Sequence, residues 1–222
     1  MTALNCFVTS NAVHFATDGA AYLTDGSPCG QNQKVAILAH LPAIIAVRGP
    51  IALAQIVAAN AAPLFCTFDE LVAAAPEHLR ATHAAYIANM ESRGLGDLTP
   101  RQAEFVIAGH SQDRDSLEGY LLRTSPGSGL EAWTLYPIPD DLISPVSDRI
   151  IKAASEIAAD VGAPTEAPEA WATRLVEAQR THPLKMENGR EVAVAGAFCQ
   201  LTTLTRSDIS TKILRRWPEV AR

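Results

Sequence analysis

Short apolar runs dominate the start of the chain, and longer stretches with helical spacing follow. Residues 3–9 (Ala-Leu-Asn-Cys-Phe-Val-Thr) and 12–17 (Ala-Val-His-Phe-Ala-Thr) predict two strands. Ser10-Asn11 stands between them, and asparagine tolerates the positive φ of a two-residue hairpin turn. A turn centred there sets Ala3 opposite Asp18, and Thr2 opposite Asp18-Gly19. Asp25-Gly26 marks a second turn. Residues 33–38 predict another strand, with Lys34 near its beginning, and 43–47 predict a further apolar strand closed by Arg48-Gly49-Pro50.

Beyond that point the period changes. Residues 51–61 are Ala-rich and predict a buried helix, and 68–90 predict one long helix or two shorter ones broken at Pro76. Gly94-Leu95-Gly96 and Pro100 mark a loop. Residues 104–109, 118–123 and 132–136 read as strands, with a turn at 125–129. Two helices follow at 148–160, ended by Gly162 and Pro164, and at 168–179, opened by Pro168. Residues 192–205 are strand-like, and 210–217 close the pattern. Strands, two helices, strands, two helices, strands: the order predicts an α+β chain of two antiparallel sheets with helices outside.

Composition narrows the functional classes. At 222 residues with 48% apolar side chains, one domain spanning 1–222 is the expectation. A formal charge of −6 and the absence of a basic run with interleaved aromatics argue against nucleic-acid binding. Cys6, Cys29, Cys66 and Cys199 are widely spaced, so reduced thiols in a cytoplasmic protein are expected rather than a disulfide framework or zinc site. The six histidines form no ligand pattern, and no glycine-rich stretch carries the Lys-Ser/Thr of a phosphate loop, so no metal or cofactor is expected. Neither a signal peptide nor a membrane span is read from the sequence.

The candidate chemistry lies at the chain start. Removal of Met1 would leave Thr2 with its α-amine beside its hydroxyl, a known way to activate a weak nucleophile. An α-amine has an unperturbed pKa of about 7.7–8.0 and so serves as a base near neutrality. Asp18 and Lys34 complete the set. A lysine beside the hydroxyl favours its deprotonation, an aspartate keeps the lysine charged and oriented, and N–H groups near Gly49 suit an oxyanion.

These pieces carry a resemblance: a Thr start, Thr-Asp-Gly at 17–19, Gln-Lys-Val at 33–35, and an apolar strand ending in Arg-Gly. Residues 1–50 resemble the proteasome β-subunit family of N-terminal-nucleophile hydrolases, and look most like the bacterial peptidase that works with a hexameric unfoldase ATPase. The resemblance implies a four-layer αββα sandwich, Thr2 as nucleophile, Asp18 and Lys34 as its partners, Gly49 at the oxyanion hole, and Ser147 as a supporting serine. It implies a threonine peptidase within a homo-oligomer that acts on peptide or unfolded protein, with an ATPase unfoldase as partner. The chain departs from the family at Val146 and Asp148, where the family has glycines around the serine. It departs again at 192–196, which lacks the expected carboxylate; Glu191 is close but out of register.

Plainer readings stand beside these. Asp18 before Gly19 also suits a turn, Lys34 a solvated strand end, Gly49 a turn, and Ser147 a helix cap. A non-catalytic subunit of the same fold and a small-molecule amidase or acylase remain as alternatives to the peptidase. Ala21, Asn32 and Ala46 stand near the expected pocket and favour an apolar or neutral substrate side chain.

Overall fold

The computed structural model describes residues 2–185, 191–192 and 195–218. It opens with a hairpin of β1 (Leu4–Val8) and β2 (Val13–Asp18). Leu4 faces Thr17 and Val8 faces Val13, the register expected of a turn at Ser10-Asn11. Thr9 locks that turn: its N–H donates to the Ala12 carbonyl at 2.9 Å, and its hydroxyl oxygen accepts from the Ala12 N–H at 3.0 Å.

The elements that follow are β3 (Ala20–Tyr22), β4 (Pro28–Gln31), β5 (Val35–Leu38), β6 (Ala43–Arg48), α1 (Leu53–Ala61) and α2 (Phe68–Ser92). Next come β7 (Glu104–Ser111), β8 (Ser116–Arg123), β9 (Leu135–Pro137), β10 (Asp141–Ser144), α3 (Asp148–Val161) and α4 (Pro168–Thr181). Then come β11 (Leu184–Lys185), β12 (Glu191–Val192), β13 (Phe198–Leu204) and β14 (Ile209–Arg216). The chain is thus a mixed α+β protein, as its pattern predicts. One antiparallel sheet runs β10-β1-β2-β13-β14 and the other β5-β6-β7-β8-β9; β3-β4 and β11-β12 form small pairs. Among the described residues no helix is long and apolar enough to cross a membrane.

Three hydrophobic clusters hold these parts together. Leu4, Cys6 and Phe15 of the first sheet pack with Val35, Ile44 and Val106 of the second. On the second sheet's other face, Ile45, Phe105 and Ile107 pack under Leu53 and Val57 of α1 and Phe68, Leu71 and Leu79 of α2. On the first sheet's other face, Phe7, Ala16 and Leu201 meet Ile150 and Ile157 of α3 and Trp171 and Leu175 of α4. Ile44 and Ile45 therefore point to opposite faces and are both fully buried. That two-sided burial is why residues 43–47 read as an unbroken apolar run. Each such side chain contributes about 1.5–3 kcal/mol of burial.

Two strand expectations are corrected, and the helix expectation is decided. Of the two forms open for 68–90, the single long helix is the one observed: α2 runs through Pro76 unbroken for 25 residues. A capping box joins Thr67 and Glu70 at its start, and Leu71, Ala75 and Leu79 anchor both sides of the proline in the core. The strand expected at 132–136 shrinks to Leu135–Pro137, because Trp133 adopts φ 61° and its ring packs against His83 at 5.6 Å, with Arg80 over it at 5.4 Å. The strand expected at 192–205 is not continuous: Val192 belongs to the short β12, and β13 occupies Phe198–Leu204. Ala193 and Val194 lie outside the described residues, and Gly196 turns its N–H to Asp18.

Candidate active site

The hairpin brings the chain start to the end of β2. The Ala3 N–H donates to Asp18 Oδ1 at 2.9 Å, and the Asp18 N–H reaches the Ala3 carbonyl at 3.4 Å. Thr2 is thereby fixed in the interior, 1% exposed. Lys34 enters from the residue before β5. Its Nζ donates to Thr2 Oγ1 at 2.9 Å and to the Ala20 carbonyl at 2.5 Å. Lys34 is also buried, so its ammonium and the threonine hydroxyl meet away from bulk water.

Asp18 is fully buried and uses both carboxylate oxygens on backbone donors. Oδ1 accepts from Ala3, and Oδ2 accepts from Ala20 at 2.9 Å and from Gly196 at 3.0 Å. Among the described residues it makes no direct ion pair with Lys34; the two interact through charge alone. Burial pushes the Asp18 carboxyl up from its ordinary range, against the downward pull of the Lys34 charge and the three N–H groups. Burial also lowers the Lys34 ammonium, against the charges of Asp18 and Cys29. A buried carboxylate is tolerated when it is well hydrogen-bonded, and here three N–H groups serve its two oxygens.

Gly49 ends the strand on the site's other side, with φ 150°, a conformation that favours glycine. A Cβ there would lie 2.8 Å from the Gln102 carbonyl oxygen, so the close approach excludes other residues as well. Val47 donates its N–H to the Lys34 carbonyl at 3.1 Å, and Gly49 follows two residues on, past the start of β5. Thr2, Lys34 and Gly49 line one narrow cleft with Ala21, Asn32 and Gln55. It measures about 10 Å³, room for roughly one water.

Of the five residues singled out in the sequence, four thus converge: Thr2, Lys34 and Gly49 in the cleft, and Asp18 behind it. Ser147 does something else here. It is the N-cap of α3, its hydroxyl accepting from the Ile150 N–H at 3.4 Å, and it makes no hydrogen bond to Thr2, Asp18 or Lys34. Met1 lies outside the described residues. Ala46, expected near the pocket, is sealed between the sheets; Val47, its neighbour in the strand alternation, lines the cleft instead.

Sequence reading misses three parts of the site: the Ala20 carbonyl, the Gly196 N–H, and the close approach at Gly19. A Cβ on Gly19 would meet the Phe198 ring at 2.1 Å, and the Gly19 N–H donates to the carbonyls of Phe198 at 2.9 Å and Gly196 at 3.1 Å. A lone glycine ending an apolar run, as Gly196 does, was the available signal of close backbone approach.

No family model matches the chain, and no curated protein matches it in sequence. Solved structures do resemble it. A Gly-1 variant of Anbu from Hyphomicrobium sp. strain MC1 superposes with a TM-score of 0.60 at 12% identity, covering 96% of this chain and 88% of that one. Anbu from Yersinia bercovieri, described as an ancestral β-subunit, gives 0.59 at 10% identity, with coverages of 96% and 87%. The chain therefore shares the fold of these Anbu structures. The sequence-level assignment to the proteasome β-subunit family, nearest the unfoldase-dependent bacterial peptidase, is corrected by the same findings. The likeness is to Anbu, it lies in the fold, and at 10–12% identity it carries no family membership.

Proposed function

We propose that this chain is an N-terminal-threonine amide hydrolase acting on peptides, with its two sheets and two helix pairs arranged as one four-layer αββα domain over residues 1–222. The observation that carries this reading is the 2.9 Å hydrogen bond from Lys34 Nζ to a buried Thr2 Oγ1, in a cleft edged by Gly49.

The chemistry runs from those atoms. Loss of Met1 frees the α-amine of Thr2, which takes the proton from Oγ1 as the oxygen attacks a substrate carbonyl. The Lys34 ammonium stabilises the alkoxide, and its burial strengthens that interaction. The Asp18 charge, two residues from the Ala20 carbonyl that holds Nζ, offsets the desolvation of Lys34. The Gly49 N–H donates to the oxyanion of the tetrahedral intermediate. Collapse transfers the proton to the leaving amine and leaves an ester on Oγ1, which water hydrolyses. The description of the Yersinia Anbu as a β-subunit supports a homo-oligomer.

One observation favours a second reading, a non-catalytic subunit of the same fold: Ser147 spends its hydroxyl on the α3 cap. Intact-mass measurement after incubation with a peptide epoxyketone separates the two. That warhead requires both the hydroxyl and the free amine of an N-terminal threonine. A chain lacking one methionine and carrying a single adduct, absent in Thr2→Ala, is the expected result. A processed chain that gains no adduct would sink the hydrolase reading.

A further inference from the structure

Gly49 borders two openings. Beyond the narrow cleft at Thr2 lies a larger cavity of about 450 Å³, whose wall includes Gly49, Arg48, Glu104, Arg123, Thr24 and Ser125. Its charges are unequal. Glu104 is saturated: Oε1 accepts from Arg123 Nε at 3.0 Å and Nη2 at 2.5 Å, and Oε2 accepts from Arg48 Nη1 at 3.2 Å and the Ser144 hydroxyl at 2.5 Å. Arg123 is spent as well, since its Nη1 donates to the Gly127 carbonyl at 3.2 Å. Arg101, also on the wall, pairs with Glu91 at 2.7 Å and is 63% exposed, so its charge is largely solvated.

Arg48 is different. It gives Glu104 a single hydrogen bond, and its Nε–H is closed off from solvent with no acceptor among the described residues. The side chain as a whole is 24% exposed and lines the cavity, so the donors open to an entering group are its terminal Nη nitrogens rather than Nε. Two guanidinium groups against one carboxylate leave this wall one positive charge in excess, with spare donors on the residue next to Gly49. A planar guanidinium with free N–H groups matches a carboxylate better than any neutral partner.

We propose that this cavity is a subsite for an acidic residue of the substrate peptide, held by Arg48 beside the scissile bond. The inference rests on the peptide-hydrolase reading and names its substrate class. Arg48 is a positioning residue: it binds a side chain away from the reacting atoms and aligns the peptide along the Gly49 strand end.

Binding to the Thr2→Ala chain tests it apart from catalysis. Fluorescein-labelled heptapeptides that differ only by Glu or Gln at one position are titrated and read by anisotropy, the Glu being moved through each position in turn. Each peptide is made with a free and an amidated C-terminus, so a side-chain carboxylate is told from a terminal one. At one position the amidated Glu peptide is expected to bind about tenfold tighter than its Gln twin. The ratio should fall to about one in Arg48→Gln and survive in part in Arg48→Lys. Should Arg48→Gln fail to fold, the ratio in the Arg48 protein is followed with added salt, where a charge-based preference shrinks. Equal affinities at every position, a preference confined to the free C-terminus, or no binding of any peptide would overturn the subsite. A Glu preference in Thr2→Ala together with no epoxyketone adduct on processed Thr2 would instead remove the hydrolase reading and leave the subsite standing.

Discussion

At the scale of single residues, two carboxylates are buried by opposite means. Asp18 faces three backbone N–H groups, so its two oxygens act only as acceptors. Asp18→Asn would aim an amide N–H at one of those donors and leave it unsatisfied. The expected loss is about 1–3 kcal/mol of stability, measured by urea unfolding; an unchanged midpoint would refute this account of the Asp18 pocket. Glu104 instead sits among Arg48, Arg123 and Ser144, whose charges and hydrogen bonds hold its carboxyl below the ordinary value of 4.5 despite burial. The sign follows. With the folded value below the unfolded one, the unfolded chain takes the proton first as pH falls. Glu104 therefore contributes stability above about pH 4.5 that is lost as the pH drops through its folded value. Urea midpoints of the unaltered protein should fall more steeply over this acid range than those of Glu104→Gln, and parallel profiles would contradict it.

At the scale of elements, α2 holds a proline where helices rarely carry one. Pro76 lies in the third turn and cannot donate to the Val72 carbonyl. The capping box at Thr67 and the buried Leu71, Ala75 and Leu79 offset that cost. Pro76→Ala restores the donor and should raise stability by about 1–3 kcal/mol, read from thermal or urea unfolding. A loss of stability would mean that the helix is bent to fit the proline. The elements around the site are used for position more than for strength. The β1–β2 hairpin delivers Thr2 and Asp18 together, β5 starts at Lys34's neighbour, and β6 ends where Gly49 must turn.

At the scale of the whole molecule, the proposed peptidase has its nucleophile 1% exposed at the bottom of a cleft with room for about one water. Large apolar side chains also stand on the surface, among them Leu64 at 62%, Val146 at 57% and Ile151 at 54% exposed. The homo-oligomer proposed above would cover such positions. Light scattering on the purified chain should give a mass several times that of one chain, and a monomer at micromolar concentration would refute the oligomer.

What the sequence determined by itself is what local rules reach. The Ser10-Asn11 turn fixed the hairpin register, and with it the meeting of Ala3 and Asp18, because a two-residue turn leaves no freedom in pairing. The apolar run at 43–47, the glycine that ends it, and Pro168 at the start of α4 were legible for the same reason. Tertiary structure decided the rest. Lys34 read equally well as a solvated strand end; burial against Thr2 and the Ala20 carbonyl, contacts made by separate elements, gave it its partner. Gly196 reaches Asp18 across 178 positions, and no local pattern encodes so distant a donor. Trp133 left its expected strand because a ring contact with His83 of α2 outweighed its local preference. Arg48 and Arg123 share Glu104 only because β6, β7 and β8 lie side by side, so the spare charge beside Gly49 exists only in the folded sheet.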